Sequence, residues 1–249
     1  MRFVHFLFGL TAYISFNAVF LYFLGFLANF QVPKSIDTPI TDIHLFQAVA
    51  IDMLLIGIFA IHHSVSPREF VKKWLKKHVP WHLERSVYVM IASLLLALLM
   101  WQWKPVTREL WRIEDAFLGT MIYAFFAMGA LSSLAASFHI DHYDLFGLRQ
   151  VYFNLRNIPY QTPEYHEKGF YKFVRHPIML GTMIALWCTP IMTVGHFLFA
   201  ATLTLYIFIG IYFEERDLRV ALGHSYKEYQ ERIPMIFPFF KKNRKNGNR

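Results

Sequence analysis

Arg175 and His176 stand side by side where a polar stretch gives way to an apolar one, in the run Gly-Phe-Tyr-Lys-Phe-Val-Arg-His-Pro-Ile-Met-Leu-Gly from 169 to 181. Across the apolar runs that follow stand Glu214 and Glu215, then Gly223-His224-Ser225-Tyr226-Lys227-Glu228-Tyr229. Pro177 suits the first turn of a helix, because its missing N–H would have no intrahelical partner there. His176 then falls near the N-cap, where free N–H groups and the helix dipole favour an anion such as a ligand carboxylate. An arginine at the end of a membrane helix also snorkels to the surface, so position alone fits either role.

A second constellation is Phe138-His139-Ile140-Asp141-His142-Tyr143-Asp144. His139 and His142 are three apart and would share one face of a helix. One HxxH and the His62-His63 pair are a thin set of metal ligands, so no metal is expected. Proton handling beside a pocket and interfacial capping both suit these histidines. Arg149 follows, then an aromatic loop with Tyr152, Phe153, Tyr160 and Tyr165. This loop reads either as a lid over a pocket or as a segment lying on lipid headgroups. Ser64 or Ser66 is placed to cap an interfacial amphipathic helix over 70–77, which carries Lys72, Lys73, Lys76 and Lys77. Glu84 and Arg85 are adjacent and suggest an ion pair.

The elements that must position these groups are membrane helices. Of the 249 residues, 55% are hydrophobic and 18% aromatic, too apolar for a soluble domain of this size. A span needs about 20 apolar residues. The runs 3–30, 43–61 (with Asp52 inside), 87–103, 116–138, 173–192 and 197–213 supply six. Trp101 and Trp103 read as interfacial anchors. The fourth run is rich in Gly, Ala and Ser, which lets helices approach closely in lipid. The expected fold is an all-α polytopic bundle forming one membrane domain over 1–240, with a disordered basic tail over 241–249. The first run lacks a small-residue cleavage site and reads as a retained helix. The single cysteine, Cys188, rules out an intrachain disulfide.

The net charge of +8 does not indicate nucleic acid, because the basic residues fall in loops between apolar runs. With six spans, 21 of the 25 Lys and Arg lie on one side. That places both termini in the cytoplasm, in a membrane that suits a bacterial inner membrane. Arg175-His176, Glu214-Glu215, His62-His63 and the segment 139–149 then share the cytoplasmic face. Ionisable groups at membrane depth are costly and mark sites.

The run from Gly169 to Gly181 with Arg175-His176-Pro177, then Glu214-Glu215, Gly223-x-x-Tyr226-x-x-Tyr229, Pro234 and Pro238, resembles the isoprenylcysteine carboxyl methyltransferase superfamily. This signature covers 169–238. A longer set of motifs is similar to the methanethiol S-methyltransferase family within it. They are His62-His63-Ser64, Glu84-Arg85-Ser86-Val87-Tyr88, Trp101-Gln102-Trp103-Lys104-Pro105, 141–150 and Thr189-Pro190. One departure is Met179, where the superfamily often has Tyr.

The resemblance implies an S-adenosylmethionine site in a pocket on the cytosolic side, closed by the C-terminal segment, with a small thiol as methyl acceptor. Carried over by position, Arg175, His176, Pro177 and Gly181 belong to the cofactor site. Glu214 or Glu215 faces the cofactor's amino group or ribose, and Tyr171, Tyr226 and Tyr229 line the pocket. The resemblance does not say what activates the thiol. An alkyl thiol is mostly protonated at neutral pH, so a base is needed. His139, Asp141 and His142 form the nearest ionisable cluster outside the signature, with Arg149 close enough to stabilise a thiolate. Two other classes compete with this reading. A sterol-type reductase would need cations for NADPH, which the Glu214-Glu215 pair opposes. A membrane carrier would not need polar groups on two separate loops.

Overall fold

The computed structural model describes residues 1–39, 43–162 and 167–238; Tyr165 and the basic tail lie outside them. Among the described residues, five helices are long and apolar enough to cross a membrane: α1 (Arg2–Ala28), α2 (Leu45–Val65), α4 (Glu84–Gln102), α5 (Ala116–Ile140) and α9 (Val194–Leu222). The chain is an integral, multi-pass membrane protein. Shorter helices are α3 (Glu69–Leu75), α6 (His142–Leu145), α7 (Leu148–Arg156), α8 (Pro177–Trp187) and α10 (His224–Arg232). Two strands, β1 (Glu109–Arg112) and β2 (Ile191–Thr193), pair antiparallel.

The fifth expected span is where sequence and structure part. Only Pro177–Trp187 is helical, 11 residues and so about 16 Å, half of the roughly 30 Å of a hydrocarbon core. Pro190 cannot continue the helix, and the chain runs on extended into β2. Extended backbone in lipid must bond elsewhere. Here β1 supplies partners, and the Pro190 carbonyl accepts from Ile113 N at 2.9 Å.

α8 is held by α5. A Cβ on Gly181 would lie 2.5 Å from the Gly129 carbonyl oxygen, so the two backbones touch and neither position has room for a side chain. Ser133 Oγ donates to the Ile178 carbonyl at 2.5 Å across the same seam. The small residues of the fourth run therefore fix where α8, and with it His176, begins.

One end of the bundle is closed. Trp103 is fully buried there, edge-on to Phe199 at 5.2 Å, with Nε1 donating to the Ile36 carbonyl at 3.1 Å. It is a core residue and not the interfacial anchor expected; its neighbour Trp101 is the exposed member of the pair. Asp52 is also buried at this end and accepts the Lys104 N–H at 2.8 Å. The other end gathers the C-termini of α2, α5 and α9 with the N-termini of α1, α4 and α8. All the sequence-flagged chemistry sits at this second end.

Candidate active site

The C-terminal segment is tied to the start of α8. Arg175 N donates to the Pro234 carbonyl at 2.9 Å and His176 N to the Met235 carbonyl at 3.1 Å. The Arg175 side chain continues the clamp. Its Nη1 donates to the carbonyls of Gln230 (3.1 Å) and Ile233 (2.6 Å), and its Nε to Glu215 Oε1 at 2.7 Å. His176 Nε2 donates to the same carboxylate oxygen at 3.1 Å, and Gln230 Nε2 donates to Glu215 Oε2 at 2.8 Å. Glu215 is thus saturated by an arginine, a histidine and an amide. Gln230 was not singled out in the sequence, although it stands four residues after Tyr226 on the same helical face.

Glu214 differs from its neighbour. Among the described residues its cation-capable neighbour is His176 Nδ1, at 3.7 Å, beyond hydrogen-bond reach. It falls on the inward stripe of α9 with the buried Leu203 and Ile207, and is hemmed in by protein, yet 48% of its side-chain surface is open. Tyr171, in a 3₁₀ turn (Gly169–Lys172), borders the same carboxylate. Burial, and then Glu214 and Tyr229, push its hydroxyl above the ordinary phenol range. Tyr226 and Tyr229 are both 1% exposed, and Tyr229 Oη donates to the Tyr171 carbonyl at 2.7 Å, locking α10 over the turn. The signature residues are therefore one cluster in space, except Gly181, whose contact is the α5 seam. Pro177 is buried at the first position of α8, as its chemistry dictates.

The His139–His142 pair does not share a helix face. Asp141 takes a left-handed conformation (φ 108°) that ends α5, and its Oδ1 caps α6 by accepting the Asp144 N–H at 3.1 Å. Asp141 Oδ2 pairs with Arg149, so neither oxygen orients an imidazole. His142 is 2% exposed and stacks on Phe138 at 4.1 Å. Ser137 Oγ gives its proton to the Leu134 carbonyl at 2.6 Å and so accepts from His142 Nδ1 at 2.7 Å. His142 Nε2 then accepts from Tyr13 Oη at 2.9 Å. Both ring nitrogens of His142 are used in joining α1, α5 and α6. Tyr13 and Ser137 carried no signal in the sequence.

His139 is the freer ring. Its Nδ1 lies 2.9 Å from the Ala135 carbonyl, which only accepts, so the proton sits on Nδ1 and Nε2 carries the lone pair. That nitrogen faces Gly169, the first residue of the cofactor signature. A Cβ there would lie 2.1 Å from Nε2, and Gly169 has φ +54°. Only glycine satisfies both constraints.

Three smaller expectations change. Ser64 bonds Tyr206 Oη at 2.9 Å and does not cap α3, whose N-cap is Arg68. Arg85 gives Nε to the Leu145 carbonyl at 2.6 Å and lies over the Tyr88 ring at 5.0 Å, with no bond to Glu84. In the expected lid, Tyr160 donates to Asp144 Oδ1 at 2.9 Å. Burial and this bond push the Tyr160 hydroxyl up to about 12.

The sequence is 43% identical over 238 residues to methanethiol S-methyltransferase 1 of Bradyrhizobium diazoefficiens, covering 96% of this chain and 83% of that one. It is 40% identical to methanethiol S-methyltransferase of Mycobacterium tuberculosis, covering 96% and 97%. A more distant likeness is nurim of Sus scrofa, 27% identical over 72% of this chain and 71% of that one. No family model and no solved structure matches. Near-complete coverage on both sides by relatives of this identity places the chain in the methanethiol S-methyltransferase family of thiol methyltransferases.

Proposed function

We propose that this protein transfers the methyl group of S-adenosylmethionine to methanethiol, giving dimethyl sulfide, at the cytosolic face of a bacterial inner membrane. The observation that carries the choice of donor is Glu214, an open carboxylate with no cation in hydrogen-bond reach among the described residues. Arg175 and Glu215 pair at 2.7 Å, which leaves Glu214 as the acidic group of the cluster without an arginine. A ligand with a sulfonium and an ammonium fits that field, and a multiply anionic nicotinamide cofactor does not. The same balance revises the role expected of Arg175. Nη1 holds the C-terminal segment and Nε holds Glu215, and Nη2 with the start of α8 is left for a ligand carboxylate.

S-adenosylmethionine supplies an electrophilic methyl group. Attack by a thiolate on a sulfonium cancels two charges, which a dry pocket favours, and positioning does much of the rest. His139 Nε2 receives the thiol proton through water, while Tyr171, Tyr226 and Tyr229 wall off solvent. Arg149, occupied by Asp141, braces the segment that carries His139. The cytosolic orientation rests on charge: among the described residues, 16 of 20 Lys and Arg belong to segments on the side of this end of the bundle.

Thermal-shift and calorimetric titration of the detergent-solubilised protein with S-adenosylmethionine and with NADPH tests the reading. Stabilisation by the first alone is expected, and stabilisation by NADPH alone overturns it.

A further inference from the structure

A second recess, outside the signature, lies at the same end of α2. Ala48, Asp52, Ile56, Phe59 and His63 fall on one helical stripe, spaced by three or four residues, and the first three are buried. His63 continues this inward stripe and is surrounded by aromatic rings, yet it is exposed. The rings around it come from α2, α4 and α9 and leave His63 reachable between them. Phe59 stacks on the imidazole at 5.5 Å, Tyr88 lies at 5.7 Å, and Tyr206 is edge-on at 6.3 Å. His63 Nδ1 is fixed by Tyr88 Oη at 2.8 Å, and among the described residues nothing bonds Nε2.

We propose that this recess is the thiol-binding subsite, with the sulfur seated against His63 Nε2. The proposal rests on the thiol reading above. A thiol both donates and accepts weakly, so it meets Nε2 in either tautomer. Sulfur also packs well at aromatic edges, about 5 Å from a ring. The Arg85 guanidinium over Tyr88 adds positive potential, which favours a thiol approaching ionisation and repels cations. The donor's cationic groups are thereby directed to Glu214 and kept from this recess. Along α9, Tyr206 precedes Glu214 by eight residues, about 12 Å. The thiol thus sits deeper in the bundle than the carboxylate that holds the donor, and reaches the methyl from the membrane side. The narrow aromatic wall suits a substrate no larger than a short alkyl thiol.

Initial-rate kinetics with methanethiol, ethanethiol and propanethiol, beside calorimetry with S-adenosylmethionine, tests this on His63→Leu and Phe59→Leu. His63→Leu should raise KM for methanethiol at least tenfold while the donor's Kd stays within about twofold. Phe59→Leu enlarges the recess and should shift relative kcat/KM towards propanethiol by about tenfold, a change that a merely structural role does not produce. Should His63→Leu fail to fold, the chain-length preference of Phe59→Leu decides the matter. Unchanged KM together with unchanged chain-length preference overturns the recess, as does a loss of donor affinity that parallels the loss of rate. A wild-type protein that binds the donor but methylates no thiol overturns the thiol reading itself, and the subsite with it.

Discussion

Arg175 Nε and Glu215 Oε1 meet at 2.7 Å, with only about a tenth of either side chain exposed, and join the start of α8 to the end of α9. The next residue back along α9, Glu214, is the open one. Two adjacent glutamates on one helix turn are therefore placed differently, one bonded into the clamp and one open.

Removing each partner should separate these roles. Arg175→Ala leaves the buried Glu215 without its arginine and frees the carbonyls of Gln230 and Ile233, so it should cost about 3–5 kcal/mol and abolish donor binding. Glu214→Gln should leave the melting temperature nearly unchanged and weaken S-adenosylmethionine binding tenfold or more. Glu215→Gln should lower the melting temperature. Equal effects of Glu214→Gln and Glu215→Gln on stability would contradict the division.

His139 and Gly169 form the second testable pair. His139→Ala should lower kcat with little change in donor affinity, and the deficit should shrink as pH rises toward the thiol's own pKa. Gly169→Ala puts a methyl 2.0 Å from the His139 ring at a positive φ and should reproduce the loss. A deficit that does not change with pH would show that His139 only packs.

His142 gives a stability signature with a definite sign. Burial holds its imidazole below the ordinary histidine value, against a smaller opposing pull from Asp141. The unfolded chain therefore takes up the proton first as pH falls. The contribution of neutral His142 is complete above about pH 6.5 and is lost as pH drops below that. Thermal unfolding in detergent from pH 8 to pH 5 should show a steeper decline for the wild type than for His142→Gln. The variant should be less stable at pH 8 by about 1–2 kcal/mol, for the bonds to Tyr13 and Ser137.

The long helices were legible because 20-residue apolar runs admit few other folds. α8 was not, because an apolar run does not reveal where helix gives way to extended chain; Pro190 was the available signal. The signature residues were all flagged, but the partner of Arg175 within the chain was not. Sequence shows which charges are present, and only the fold shows that Arg175 meets Glu215, 40 residues away. The shared face of His139 and His142 failed on one torsion, the left-handed Asp141 between them. Tyr13 and Ser137 were invisible because they act only through His142.

Sidedness follows from charge. A reporter fused after residue 249 and another inserted near Asp144 should both report cytoplasm, and one near Pro105 the opposite side. A cytoplasmic signal at Pro105 would contradict the orientation.

The central claim is methyl transfer from a sulfonium to a small thiol. Purified protein given S-adenosylmethionine with an isotopically labelled methyl group, together with methanethiol, should release dimethyl sulfide carrying one labelled methyl per molecule, measured by headspace gas chromatography and mass spectrometry. Labelled dimethyl sulfide that depends on Glu214 is the expected result. No labelled product from protein that remains folded and binds the donor would contradict the account.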